Sequence, residues 1–193
     1  MLEKGFVFGA SHDGFVYYRK NKNEYGLEIE QKSCQWLETV QEYLEKAYNK
    51  KSKIRKTKKG YFRLNVYSKE LFLELKKFHK NPYLVLKQNK KFQIGFLQGI
   101  FDAEGSVRLE RRHITVSSSN EKTTKIVAKL LKGIGIKTGK PFKDMNNVIS
   151  IPFYGKENLR IFNNFIGFRH PEKEKRLELL LKNIGYKSLK MVS

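Results

Sequence analysis

The chain repeats itself, and that limits its architecture more than any local propensity does. His12-Asp13-Gly14 and Ala103-Glu104-Gly105 each set an acid against a glycine where a helical stretch gives way to a strand-like one, 91 positions apart. Tyr67-Ser-Lys69-Glu70 introduces an apolar-periodic stretch running to His79 and then Pro82. Tyr154-Gly-Lys156-Glu157 introduces another, ending at His170-Pro171. The tyrosines lie 87 positions apart and the prolines 89. Three landmarks at nearly one offset define two copies of one unit of about ninety residues.

Each copy carries the same order of elements. A first helix ends at the acid-glycine pair, and a hairpin follows: Phe15–Lys20 with Gly26–Lys32, then Ser106–Arg111 with His113–Ser117. Amphipathic helices are expected over Gln35–Tyr48 and Lys122–Gly133, the second stopped by Gly133 and Gly135. Second hairpins follow, Lys53–Thr57 with Tyr61–Val66, and Ile136–Phe142 with Val148–Phe153. Lys58-Lys59-Gly60 and Asp144-Met-Asn-Asn147 supply the turns. Helices over Lys69–Phe78 and Glu157–Phe165 close the units, and the second adds a helix over Pro171–Ile184 with proline in its first turn. The first half is assigned to residues 1–80 and the second to 90–193. The linker, 81–89, has no Gly/Ser-rich tract, so the halves should pack closely.

Charge says what the surface meets. Forty Lys and Arg against 19 Asp and Glu give a net charge of +21, spread along the chain. Such self-repulsion points to a polyanionic partner and to an affinity that falls steeply with salt. In 61–66, Phe62, Leu64 and Val66 point one way while Tyr61, Arg63 and Asn65 point the other. Val107 and Leu109 alternate likewise with Arg108, Glu110 and Arg112, and Lys53 and Arg55 flank Ile54. Sheets with one apolar and one polar-basic face can cover helices on one side and enter a DNA groove on the other. Arg19, Lys20, Lys53, Arg55, Tyr61, Arg63, Asn65, Arg108, Glu110, Arg112, Ser117 and Asn120 are the expected DNA contacts.

Chemistry concentrates in Gly95-Phe-Leu-Gln-Gly99-Ile-Phe-Asp102-Ala103-Glu104-Gly105. Gly95, Gly99 and Ala103 recur every four residues and form a strip of small side chains on one helix face. Each glycine lowers helix propensity by up to ~1 kcal/mol, which makes sense where another backbone must come near. Glu104 ends the strip, and Gly105 is expected to take the positive φ of a helix exit. Two such helices side by side bring Asp13 and Glu104 together. A helix C-terminus is itself partly negative, so acids there need a compensating cation, for which a divalent metal is the natural candidate.

Phe96-Leu-Gln-Gly-Ile-Phe-Asp-Ala-Glu-Gly105 closely resembles the decapeptide that names the LAGLIDADG homing endonucleases, with Glu in place of the last Asp. The element order is similar to the family's αββαββα unit, and two copies in one chain resemble the compact monomeric members encoded in archaeal introns. The resemblance spans nearly the whole chain. It implies an α+β fold of two pseudo-symmetric units, antiparallel sheets forming a DNA-binding saddle, and the motif helices packed at the centre. It also implies Mg²⁺-dependent hydrolysis of both strands of duplex DNA at a long recognition site, with two or more divalent ions. Asp13 and Glu104, with their neighbours Gly14 and Ala103, would hold the metal. The first copy departs from the pattern: matching Gly14 to Gly105 puts Ser11 opposite Asp102 and Phe8 opposite Gly99, where a small residue is usual. Gly5 and Gly9 supply the close approach in a shifted register. Gln31 and Lys32 stand where family members often place a polar–basic pair. The second half has Ser117-Ser-Ser-Asn120 there, so Asn120, Arg108 or Lys122 would have to stand in.

The remaining signals are quieter. The four histidines form no ligand set, and His12 reads as a surface or helix-end residue. Trp36 belongs to the core of its helix. The lone Cys34 fits a reducing compartment. No apolar run approaches the ~20 residues of a membrane helix, and Met1-Leu-Glu-Lys-Gly has no leader pattern. The expectation is a monomeric cytoplasmic protein associated with the nucleoid. An RNA maturase or a catalytically silent DNA-binding regulator on the same fold stays open at this point. A ribosomal protein would explain the charge but not the repeat.

Overall fold

Two helices with glycine on their facing sides form the centre of the molecule. In a computed structural model of the chain, which describes residues 1–185, these are α1 (Leu2–Ala10) and α4 (Lys90–Glu104). A Cβ built on Gly5 would lie 2.1 Å from the carbonyl oxygen of Phe92, and one on Gly9 would lie 2.3 Å from that of Phe96. From the other side, Gly95 would meet the oxygen of Leu2 at 2.0 Å and Gly99 that of Phe6 at 2.1 Å. Backbone therefore rests on backbone, which no larger residue permits at these four positions. The small residues of α1 stand one position out of step with those of α4 under the 91-residue offset, and Phe8 lies beside the seam against Phe78 and Phe92.

Each central helix leads into a four-stranded antiparallel sheet. The first contains β1 (Gly14–Arg19), β2 (Glu24–Gln31), β3 (Lys53–Lys56) and β4 (Phe62–Tyr67), in the order β1-β2-β4-β3. The second contains β5 (Gly105–Arg108), β6 (His113–Ser118), β7 (Phe142–Lys143) and β8 (Ile149–Tyr154), in the matching order β5-β6-β8-β7. Inner faces carry Leu27, Ile29, Leu64 and Val66 in one sheet, and Val107, Ile114, Val116, Ile151 and Phe153 in the other. These join α2 (Cys34–Tyr48), α3 (Lys69–Lys80), α5 (Glu121–Gly133), α6 (Lys156–Phe165) and α7 (Pro171–Asn183) in one continuous core. Trp36 is wholly buried within it.

Local chemistry explains the boundaries. Ser33, Ser68, Asn89 and Asn120 cap α2, α3, α4 and α5 by accepting from backbone N–H groups two or three residues on, each worth roughly 1 kcal/mol. Gly60 (φ 82°) and Asn147 (φ 62°) take the left-handed conformations their hairpin turns require. The linker contains a 3-10 turn, Pro82–Lys87, with Val85 buried.

Three expectations need correction. The strand expected over 136–142 is reduced to Phe142–Lys143, with one isolated bond from Gly139 N to Pro152 O. Pro152 sits in the neighbouring strand and has no N–H to give, and a Cβ built on Gly139 would lie 3.2 Å from its Cγ. Gly105 has φ −79°, so it is not a left-handed exit. Glycine is needed there because a Cβ would lie 2.3 Å from the oxygen of Phe101. The C-terminal stretch 186–193, assigned to the second half, lies outside the described residues.

Candidate active site at the helix seam

The register of the sheets delivers the functional side chains. Glu104 is the last residue of α4, and Asp13 ends the 3-10 turn that follows α1. Both are half-buried and both carboxyls are pushed above the usual range. Loss of hydration is the main cause in each, and for Glu104 the nearby Asp13 charge adds to it. Because β2 pairs Ile29 with Gly14, Gln31 ends the strand on the same inner side, and its Nε2 donates to Asp13 Oδ2. The equivalent register in the second sheet pairs Val116 with Gly105, which puts Ser118 and Ser119 in the places of Gln31 and Lys32.

Lys32 is exposed and its Nζ stands 5.7 Å from the centre of the Tyr61 ring, so it is not brought onto Asp13. Asn120 stands at the start of α5, where its Oδ1 accepts from the N–H groups of Lys122 and Thr123 as the helix cap. Among the described residues neither Lys122 nor Arg108 forms a hydrogen bond or ion pair with either acid.

The cation that does reach the site is Lys173, from the first turn of α7. Its Nζ donates to the carbonyls of Phe101 (3.4 Å), Asp102 and Ala103 (3.1 Å). Burial lowers its pKa, while Asp102, Asp13 and Glu104 act to raise it. Nothing in the sequence sets this lysine apart from the other basic residues, 40 in all. Its placement depends on the preceding loop. Asp102, buried behind the seam, accepts from the N–H groups of Arg169 (2.9 Å) and His170 (3.3 Å) and so ties that loop to α4. Burial pushes the Asp102 carboxyl up to about 6. In the first half, Ser11 takes the Asp102 position and meets His79 Nε2 at 2.9 Å. His12, expected near the surface, is instead tucked between His79 and Phe96, and burial lowers its pKa to about 4. It sits at the helix end, one of the two places expected for it.

A divalent cation suits this donor set. Two desolvated, mutually repelling carboxylates meet at two helix ends, a situation that positive charge relieves. Among the described residues no cluster of three or more His, Cys, Asp or Glu exists to offer a fuller cage. Ala103, expected beside the metal, spends its carbonyl on Lys173; Gly14 lies next to Asp13 at the start of β1.

The outer faces differ between halves. Arg19, Lys53, Arg55, Arg63 and Asn65 lie on the outward face of the first sheet, with Lys20 in the 3-10 turn at its tip and Tyr61 just before β4. In the second half Arg108, Glu110, Ser117 and Ser150 line one concavity, beside the turn that holds Arg112 at φ 49°. The first face is not uniformly basic, however: Glu24, Glu28 and Glu30 run along its central strand.

Two like halves, paired glycine-lined helices and an acid at each helix end define the class. The LAGLIDADG-like domain family matches residues 11–80 and 91–167, and the chain belongs to it. Homing endonuclease I-ApeI of Aeropyrum pernix is 28% identical over 199 residues, covering 91% of this chain and 86% of that protein. Homing endonuclease I-DmoI of Desulfurococcus mucosus is 30% identical over 141 residues, 69% of each chain. The crystal structure of I-DmoI in complex with DNA and Ca shares the fold, with a TM-score of 0.71 at 20% identity, over 92% of this chain and 97% of that one. Among the described residues no helix is long and apolar enough to cross a membrane.

Proposed function

We propose that the chain is a monomeric, intron-encoded homing endonuclease that hydrolyses both strands of duplex DNA with Mg²⁺. The observation that carries this reading is the meeting of Asp13 and Glu104 at the helix seam, with Lys173 between α7 and the end of α4. The names of the homing endonuclease relatives support it. So does a net charge of +21 on a chain whose sheets leave basic outer faces free for phosphate.

Asp13 and Glu104 would hold the cation, each with its desolvated carboxylate. When bound, the metal supplies charge neutralisation on the phosphoryl oxygens and a water acidified enough to attack. Gln31 orients Asp13 by donating to its Oδ2. Lys173 adds fixed positive charge where negative charge builds up in the transition state. The two outer faces hold the duplex across the seam, so that one phosphate from each strand can approach its acid.

The test is cleavage of a plasmid library carrying randomised inserts, in Mg²⁺ and in Ca²⁺. Linear product is expected in Mg²⁺, and Glu104→Gln and Asp13→Asn should each abolish it while leaving DNA binding nearly intact. Undiminished cutting by either variant would remove that acid from the mechanism.

A further inference from the structure

The ion-paired face of the first sheet poses a question that phosphate binding does not answer. Glu28 and Glu30 point outward from β2, on the side opposite Leu27 and Ile29, and Glu30 sits across from Arg63 on β4. Arg63 Nε and Nη2 donate to Glu30 Oε2 at 2.9 and 2.6 Å, and Nε lies 3.3 Å from Glu28 Oε1. The three side chains remain 42%, 23% and 34% exposed in the order Arg63, Glu28, Glu30. On a surface that must attract phosphates, two carboxylates around one guanidinium weaken binding to DNA of any sequence. Their placement is explicable if they face base edges.

Register identifies what the second half has instead. Gly14↔Ile29 corresponds to Gly105↔Val116, so Glu28 matches Thr115, and the Glu30↔Arg63 pair matches Ser117↔Ser150. There two hydroxyls share a hydrogen bond of 2.7 Å. One half thus carries a preset charged trio where the other carries neutral hydroxyls.

Building on the endonuclease reading, we infer that Glu28, Glu30 and Arg63 are the sequence-discriminating residues of the first half and select a G·C pair in the major groove. Guanine shows two acceptors there, N7 and O6, and its cytosine shows an N4 donor. Among the described residues Arg63 Nη1 donates no hydrogen bond, which leaves its outer fork available to guanine. Glu30 Oε1 and Glu28 Oε2 likewise accept nothing from described residues and can take the N4 hydrogen. Donors and acceptors are thus held side by side, and a G·C edge likewise sets acceptors beside a donor. An A·T pair puts the donor on the adenine side and a methyl group on the other, which mismatches that order. Holding the guanidinium in place before DNA arrives reduces the freedom lost on binding.

The experiment sequences the products cut from a library of duplexes randomised through the site, and in parallel the duplexes retained by binding. It compares the full chain with Glu28→Gln/Glu30→Gln, Arg63→Gln and Lys53→Gln. A selected G·C pair is expected in one half-site of the wild-type profile. It should relax about tenfold or more in the double variant and in Arg63→Gln, while the double variant binds random duplex more tightly. Lys53→Gln should weaken all sequences alike. If both trio variants keep the wild-type profile, or if an A·T pair is selected at the affected position, the inference fails. Sequence-selective retention with no cut product in Mg²⁺ would instead overturn the endonuclease reading and leave the trio's role readable from the bound fraction.

Discussion

The Nζ of Lys173 donates to the carbonyl of Ala103 at 3.1 Å, so the helix that ends in one acid is closed by a cation from another helix. The last carbonyls of a helix have no partner within it and carry its partial negative charge. Glu104 would add to that charge. Lys173 opposes it from three carbonyls at once, and it does so within electrostatic reach of Asp13 as well. The first half has Pro82 at the position 91 residues earlier and offers no such cation there.

Lys173→Met should therefore slow cleavage by about a hundredfold, the usual effect of removing one preorganised charge from a developing anion. DNA binding should change little, because a single contact among many phosphate contacts is lost. Single-turnover cleavage beside a binding titration separates the two effects. Equal losses in both would make Lys173 part of the general grip.

The seam predicts a stability effect. A Cβ at Gly99 would lie 2.1 Å from the oxygen of Phe6 and 2.7 Å from the N of Ala10, both backbone atoms that cannot rotate aside. Gly99→Ala should cost about 2–4 kcal/mol despite alanine's better helix propensity, since the two helices must separate along their length. Gly133→Ala, with only a lysine tip at 4.0 Å, is the matched control and should be neutral or slightly stabilising. Urea melts of both variants provide the comparison.

How much of this was legible in the sequence follows from how local each signal is. The glycine strip and the acid-glycine pairs are written at fixed spacing within single helices, so both the seam and its two acids could be read. Gln31 could be placed only through the family resemblance, and the register of β2 on β1 then brings it to Asp13. Lys173 could not. Its position depends on Asp102 holding the N–H groups of Arg169 and His170, a contact across 67 residues. The shortened β7 depends on Pro152 in the facing strand, again a tertiary effect. Glu28 and Glu30 were visible, but counting Lys and Arg hid that the middle of the face is ion-paired. Asn120, an expected DNA contact, also caps α5 through its Oδ1, a role that Asn before a helix commonly takes.

Asp102 gives a pH prediction. Its folded carboxyl titrates at about 6 against an ordinary 3.8, so ionising it at neutral pH opposes folding. The stability it would otherwise provide is present below about 3.8 and is lost as pH rises through about 6. Asp102→Asn keeps an oxygen for the Arg169 and His170 N–H groups and removes the charge. It should raise stability by about 1–3 kcal/mol at pH 8. The gain should shrink toward zero near pH 4. Denaturant melts of both proteins at pH 4, 6 and 8 give the curve, and a difference that does not vary with pH would mean Asp102 is not the titrating group.

The two halves also differ in what surrounds each acid, which should be visible strand by strand. Asp13 has Gln31 on its carboxylate, with Lys32 turned toward Tyr61. Glu104 has Ser118 and Ser119 at the matching register, with Lys173 at the end of its own helix. Electrostatic support of the two reacting phosphates is therefore unequal, and the strands should be cut at different rates, with nicked plasmid accumulating before linear product. Gln31→Ala frees Asp13 to leave its position and should slow one strand more than the other. Lys32→Met, if Lys32 swings to the phosphate when DNA is bound, should slow that same strand; if it stays over Tyr61, it should only weaken binding. A supercoiled-plasmid time course with end-labelled strands distinguishes these outcomes. Equal cutting of both strands by the wild type would mean that the two acids act with equivalent support, contrary to the asymmetry of their surroundings.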